Sequence, residues 1–266
     1  MHPLLPALLA LALPVAAQGL PDRFKENRGV WEQSLNQGLG TPVRKATEAL
    51  LLQDGVTVNP ADYNAMHAMV GVMDLAARAC VVEGAWEDAV EHLGKAARTA
   101  DTNASTAEAT FAKLVAEHQA KLKTWREATA TQEQRLQTLE RQGTLTLEQK
   151  RLQAQIQGFL DEHRNAIDQS ETSLKEIDGL LAALRREKEV HATALADWQA
   201  FLAKERSDIS RLGTVTAYVA EKLEQVKVDD ARPRPERLAY ARRLLRLDPS
   251  NPDCQRFVDA LMGKGR

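Results

Sequence analysis

The sequence has only two cysteines, Cys80 and Cys254, among its 266 residues. Two are too few for the disulfide framework that holds many small exported domains together; they either pair with each other or stay buried as free thiols on apolar helical faces. No charge of one sign dominates, because 35 basic residues face 37 acidic ones. This balance gives no reason to expect nucleic acid or an anionic membrane as a partner.

Aromatic residues are also scarce, at 5% of the chain. The β-branched residues that favour strands rarely alternate with polar ones. Alanine, leucine, glutamate, glutamine, lysine and arginine dominate instead, and all of them are strong helix formers. The sequence therefore predicts an all-α protein.

Motifs that carry catalysis are missing as well. The chain has no His-Glu-x-x-His, no Cys-x-x-Cys, no glycine-rich phosphate loop and no Gly-x-Ser-x-Gly. A carboxylate-metal site in a helix bundle needs a glutamate three residues before a histidine. No glutamate stands at that place before any of the five histidines that follow His2, which are His67, His92, His118, His163 and His191. We expect no enzymatic activity, no cofactor and no metal site.

The N-terminal residues resemble an export signal. An apolar run from Leu4 to Val15 leads into the small residues Ala16 and Ala17, and the run is shorter than the roughly 20 residues that span a bilayer. Only His2 precedes it in place of a basic residue, so a buried helix remains the alternative. We expect a signal peptide over residues 1–17 and an exported chain, periplasmic or secreted. No second apolar stretch is expected to approach spanning length, so the mature chain should have no integral membrane segment.

The residue pattern of 18–103 predicts four helices, near 21–37, 42–53, 59–82 and 86–99. Within it, residues 79–101 resemble the second half of a tetratricopeptide repeat, with Gly84 at the turn, Trp86 as the aromatic, and Leu93 between the small Ala89 and Ala96. Residues 241–261 resemble the end of such a repeat, its Leu-Asp-Pro-x-Asn linker and the next helix. The segments 18–103 and 229–266 are therefore expected to form a small base of tetratricopeptide-like helices.

The resemblance implies a peptide-binding groove on the helix that ends near Val82. The groove positions would be Gly71, Asp74, Arg78 and Val81, with Arg78 as the candidate to bind a carboxylate. The alternative is that these four residues only pack against neighbouring helices or face solvent.

Residues 104–228 show a different pattern, the 4-3 spacing of a coiled coil. In the longer of two heptad seams, twelve of the seventeen positions are apolar, and the register holds from Ile156 to Leu212. Gly143 and Gly213, each followed by Thr-x-Thr, are expected to end helices in the left-handed conformation, and Thr146 with Gln149 forms a capping box. The predicted fold is thus a long antiparallel hairpin whose central helix has about 65 residues.

Folding back at Gly143 would place Leu136 opposite Leu152, Trp125 opposite His163, and Phe111 opposite Ile177. This register leaves one part of the long helix uncovered. The positions concerned are Lys188, His191, Leu195 and Trp198; of these, His191, Leu195 and Trp198 are expected to dock on the predicted base or on a second chain. Lys188 and Glu205 are expected to pair or to reach solvent at the edge of the seam.

These features together predict an exported, non-catalytic scaffold or adaptor. It would bind other proteins, or further copies of itself, through the coiled coil and the repeat-like base. The alternative is a self-associating structural coiled-coil protein of the cell envelope.

Overall fold

The computed structural model describes residues 19–53, 58–59 and 61–263. Within these residues the protein is 88% helical, with eight α-helices and no strand, which confirms the all-α prediction. The predicted signal peptide, residues 1–17, lies outside the described part. The helices are α1 (Leu20–Asn36), α2 (Gly40–Gln53), α3 (Tyr63–Val82), α4 (Trp86–Glu140), α5 (Leu147–Leu212), α6 (Val215–Val228), α7 (Arg234–Leu247) and α8 (Pro252–Leu261).

The two glycine turns form as the sequence predicts. Gly143 has a φ of +77° and Gly213 a φ of +82°, both in the left-handed region that glycine adopts without strain. After the first turn, the Thr146 N–H donates to Gln149 Oε1 at 2.8 Å and the Gln149 N–H donates to Thr146 Oγ1 at 3.3 Å, which is the expected capping box. The helix between the turns, α5, has 66 residues.

Helix α4 differs from its prediction, because it continues to Glu140 rather than ending at Thr99. The segment after Thr99 contains no glycine or proline before Gly143. Its small residues Ala100, Ala104 and Ala107 extend the buried face of the helix at intervals of three or four residues. The polar and small residues just after Thr99 have the composition of a linker. However, no residue there breaks the hydrogen bonds of the helix.

The chain forms two compact units. The first, here called the base, comprises the described residues up to Asn103 and from Lys188 onward; the second, the hairpin unit, is Ala104–Glu187. Residues 188–228, which the heptad pattern groups with the hairpin, thus lie in the base. Their side chains supply part of its core: Tyr218, Val219 and Leu223 cluster with residues of α7 and α8.

The hairpin unit is antiparallel. Ion pairs join Glu108 to Arg185, Arg126 to Glu171, and Glu133 to Arg164, so that residue numbers rise along one helix as they fall along the other. His118 Nδ1 lies 3.3 Å from Ser170 Oγ. This contact is one heptad from both Phe111–Ile177 and Trp125–His163, and it therefore has the register that the sequence predicts. The ion pairs themselves are exposed and add little stability.

Helix α3 corrects one expectation from the sequence. By length and composition alone it is apolar enough to span a membrane, the only such helix within the described ranges. However, 61% of its most apolar stretch is buried inside the protein. Its apolar character follows from its place in the core, where Ala68, Val72, Leu75 and Ala79 pack against α1 and α2.

Gly84 and Gly143 provide a matched pair of substitutions. Both have positive φ, but a Cβ on Gly84 would lie 2.6 Å from the carbonyl carbon of Arg242 in α7, whereas a Cβ on Gly143 meets nothing within 4 Å. Gly143→Ala should therefore cost only the left-handed penalty of about 1–2 kcal/mol. Gly84→Ala should cost about 3 kcal/mol or more, because overpacking adds to that penalty. Urea denaturation of both variants measures the difference, and equal losses would contradict the close approach of α7.

Candidate functional site

The four predicted groove residues lie on α3 in different surroundings. A Cβ on Gly71 would overlap the ring of Phe24, so α1 already occupies the space beside this glycine. Asp74 faces His191 and Arg78, Arg78 is exposed, and Val81 packs beside Cys80 and Ala85. A peptide bound over this face would have to displace Phe24.

Among the predicted groove residues, Asp74 has a carboxyl group whose pKa is shifted in the folded protein. Burial raises its carboxyl pKa above the ordinary value, and the nearby charges of His191, Arg78 and Arg28 offset this only in part; Glu32 adds to the rise. The protonated carboxyl is thus favoured in the folded state. Its contribution to stability is fully present below the unfolded pKa and is lost as the pH rises through the folded pKa.

Asp74→Asn should therefore stabilise the protein at pH 7, since the amide has no charge to desolvate. The melting temperature of the variant should exceed that of the wild type at pH 7, and the difference should shrink toward pH 4. Thermal unfolding followed by circular dichroism at both pH values tests this. A variant less stable than the wild type at pH 7 would mean that the attraction of Asp74 to His191 and Arg78 outweighs its desolvation.

The predicted docking residues on α5 lie within the base. A Cβ on Gly94 of α4 would come within 4.0 Å of the Leu195 methyl group, and His191 interacts with the Asp74 charge. Trp198 packs edge-on against Trp86 of α4, with ring centroids 5.7 Å apart. Lys188 binds Asp101 at 2.6 Å.

Trp86 is the centre of an aromatic cluster. Only 3% of it is exposed, and Phe201 and Tyr240 also meet its ring edge-to-face, at 5.1 and 5.3 Å between centroids. Its indole N–H donates to the Val81 carbonyl at 3.3 Å. One side chain at the start of α4 thereby joins α3, α5 and α7.

A triad of ionised side chains, two of them buried, lies beside this cluster. Arg243 of α7 donates two hydrogen bonds of 2.6 Å to the Glu87 carboxylate and others of 2.5–3.2 Å to Glu205, while its guanidinium lies 5.1 Å from the centre of a Trp86 ring. The side chains of Arg243 and Glu205 are 5% and 3% exposed. The hydrogen bond from Arg243 lowers the pKa of Glu87. Burial alone would lower the pKa of Arg243, but its bonds to the two carboxylates raise it.

The heptad pattern does not predict this triad. Its one indication in the sequence is Glu205, a charged residue at a seam position between Leu202 and Ile209. Glu205 does form an ion pair, one of the two predicted alternatives, but it is buried against α7 and does not lie at the edge of the seam. The neighbouring Arg242 donates from its guanidinium to the carbonyls of Gly38 and Val82, so two consecutive arginines fasten α7 to the rest of the base.

Several polar groups lie together around Arg44, which binds Glu48 and Asp88, each at 2.9 Å, while His92 lies 3.4 Å from Glu48. Among the described residues, no three histidine, cysteine or acidic side chains come close enough to hold a metal ion. Cys80 and Cys254 are free and buried, and burial raises their pKa values to about 12 and about 11, so neither is a ready nucleophile. His163 donates to the Phe159 carbonyl of its own helix at 3.0 Å.

Several cavities in the described part of the chain are large enough for a small ligand, including one of about 370 Å³ between α1, α7 and α8. Another, of about 340 Å³ in the base, is lined by Met66, Met69, Met73 and residues of α4. A third, of about 560 Å³, lies in the hairpin unit near the Gly143 turn. Comparison of the chain with protein-family models, with curated proteins and with solved structures gives no match.

Proposed function

We propose that the protein is an exported, non-catalytic scaffold or adaptor whose hairpin unit binds protein partners. The observation that carries this proposal is that Ala104–Glu187 forms a compact unit of two helices only. Two paired helices bury one seam and leave the rest of their surface to solvent, and helical surfaces of this kind recognise other helices. Export is supported by the apolar run and the small residues of the first 17 positions.

The base differs from the hairpin unit because contacts among several helices hold it together, and this supports a structural role for it. Its helices are joined by the aromatic cluster and by the ion triad, and its two cysteines are buried. Because of the tetratricopeptide resemblance, we also propose a second binding surface on the base. Its exposed cation would be Arg78.

A crosslinking pull-down from the native envelope tests this function. The full chain is compared with a variant in which a short Gly/Ser linker replaces residues 104–187; Asp101 and Lys188 are in contact, so the linker has little distance to cover. Residues 188–228 are kept because they form part of the base core. We expect partners to be lost with the hairpin unit while circular dichroism shows the base still folded. Retention of every partner would contradict the proposal.

Self-association is the competing function, and Leu114, Leu152 and Leu180 favour it because each is an exposed leucine on the hairpin unit. Light scattering of the purified mature chain separates the two. A monomer supports the adaptor, and a stable dimer or larger assembly that the 104–187 replacement abolishes supports the structural protein.

A further inference from the structure

The end of the hairpin unit nearest Gly143 is locally basic, although the whole chain has a net charge of −2. Residues 134–156, here called the hairpin tip, contain four basic and two acidic side chains, hence a net charge of +2. The basic residues are Arg135, Arg141, Lys150 and Arg151, and all four are exposed.

Among the residues that the structure describes, these four cations have no ion-pair partner. Elsewhere in the hairpin unit Arg126, Arg164 and Arg185 each bind a carboxylate on the opposite helix, at 2.5, 2.8 and 2.7 Å. The pairs stop at Glu133–Arg164, and within the described residues none of the four basic residues of the tip has an ion pair. Their charges are therefore available to a negatively charged partner.

Apolar surface accompanies the charge. The cavity of about 560 Å³ is lined by residues of both helices, among them Leu139, Leu152 and Ile156, with Arg135 at its edge. Leu152 is 47% exposed, and the nearby Leu147 is 68% exposed. The α4 residues of the lining extend from Thr131 to Leu139, about 12 Å along a helix axis at 1.5 Å per residue. The surface is thus an open groove about two helical turns long.

We propose that the hairpin tip binds an amphipathic helix with an acidic polar face, as a third helix beside α4 and α5. Leucine-like side chains of the partner fill the groove over Leu139, Leu152 and Ile156, and its glutamates or aspartates meet Arg135, Arg141 and Arg151. The concave, two-turn groove favours a helix over a membrane, because a flat bilayer surface cannot enter it. This inference rests on the proposed function and names the chemistry of its partner.

A designed peptide serves as the probe. It has 21 residues, leucine at heptad positions a and d and glutamate at e and g; a second peptide has lysine in place of the glutamates, and a third has the acidic composition with the heptad spacing broken. Fluorescence anisotropy with the full-length mature chain should show the acidic peptide binding at least tenfold more tightly than either control. Its affinity should fall at least fivefold between 50 and 500 mM salt.

Matched variants locate the site. Arg135→Gln, Arg141→Gln and Arg151→Gln together should weaken the acidic peptide about tenfold, since exposed charge pairs contribute modestly but cumulatively. Leu147→Ser with Leu152→Ser should weaken it similarly. The control, Lys121→Gln, Lys123→Gln and Lys175→Gln, removes the same charge from exposed positions elsewhere on the hairpin unit and should bind as the wild type.

Several outcomes would overturn the inference. They are equal binding of the acidic and lysine peptides, equal loss in the tip and control variants, no binding of any peptide, or binding to phosphatidylglycerol vesicles in place of the peptide. The proposed function fails differently. If the tip variants keep native partners that the 104–187 replacement loses, only the tip assignment is wrong; if the replacement keeps them too, the function is wrong.

Discussion

Trp86→Ala should lower the free energy of unfolding by about 3–5 kcal/mol, as expected for a large aromatic side chain removed from a core. The loss exceeds the transfer of the indole alone, because the ring makes edge-to-face contacts with Trp198, Phe201 and Tyr240 and such contacts add about 0.5–1.5 kcal/mol each. The groups around the cavity belong to three other helices, α3, α5 and α7, which limits their collapse into it.

Trp125→Ala is the matched control, since Trp125 is only partly buried in the hairpin unit. It should cost about half as much or less. Urea denaturation followed by far-ultraviolet circular dichroism measures both variants. Similar losses for the two tryptophans would show that the cluster around Trp86 does not organise the base.

Arg243→Met should be comparably severe, at about 3–5 kcal/mol, because it leaves the buried carboxylate of Glu205 without a countercharge. Glu205→Gln should cost less, about 1–2 kcal/mol, because Arg243 keeps both hydrogen bonds to Glu87. The asymmetry follows from burial, since Glu205 is enclosed whereas about half of Glu87 is exposed.

The double variant Arg243→Met with Glu205→Leu tests whether the unpaired carboxylate of Glu205 causes the loss of stability. Replacing both buried charges by apolar side chains of similar size removes the unpaired carboxylate, so the double variant should be clearly more stable than Arg243→Met alone. Arg211→Met removes an exposed guanidinium that lies 3.7 Å from Asp208, and it should change stability by less than about 0.5 kcal/mol. A double variant as unstable as the single one would mean that the cost comes from lost packing of the arginine on Trp86.

Local chemistry explains which features could be predicted from the sequence. The turn at Gly143 depends on residues within six positions of one another, and the glycine, Thr146 and Gln149 specify it almost without tertiary help. The antiparallel register follows from the same turn and the heptad spacing, as the contact of His118 with Ser170 shows. The turn could be predicted because its contacts are local, and the register could be predicted because the heptad spacing repeats.

The packing of the base could not be predicted in the same way, because it depends on contacts between residues far apart in the sequence. Arg243 lies 156 residues from Glu87 and 38 from Glu205, and only the packing of α7 across α4 and α5 brings the three together. Helix α4 continued past Thr99 because alanine spacing, rather than the loop-like composition around Asn103, decided the local structure. The same tertiary packing places 188–228 in the base.

Residue-specific photocrosslinking in living cells tests whether the hairpin unit binds partners while the base stabilises the fold. A photoreactive amino acid is placed at Arg135 and Lys175 of the hairpin unit and at Lys25 and Arg206 of the base, all exposed positions. We expect adducts with other proteins from the hairpin positions, with those at Arg135 strongest. Adducts that form only from Lys25 and Arg206 would contradict it.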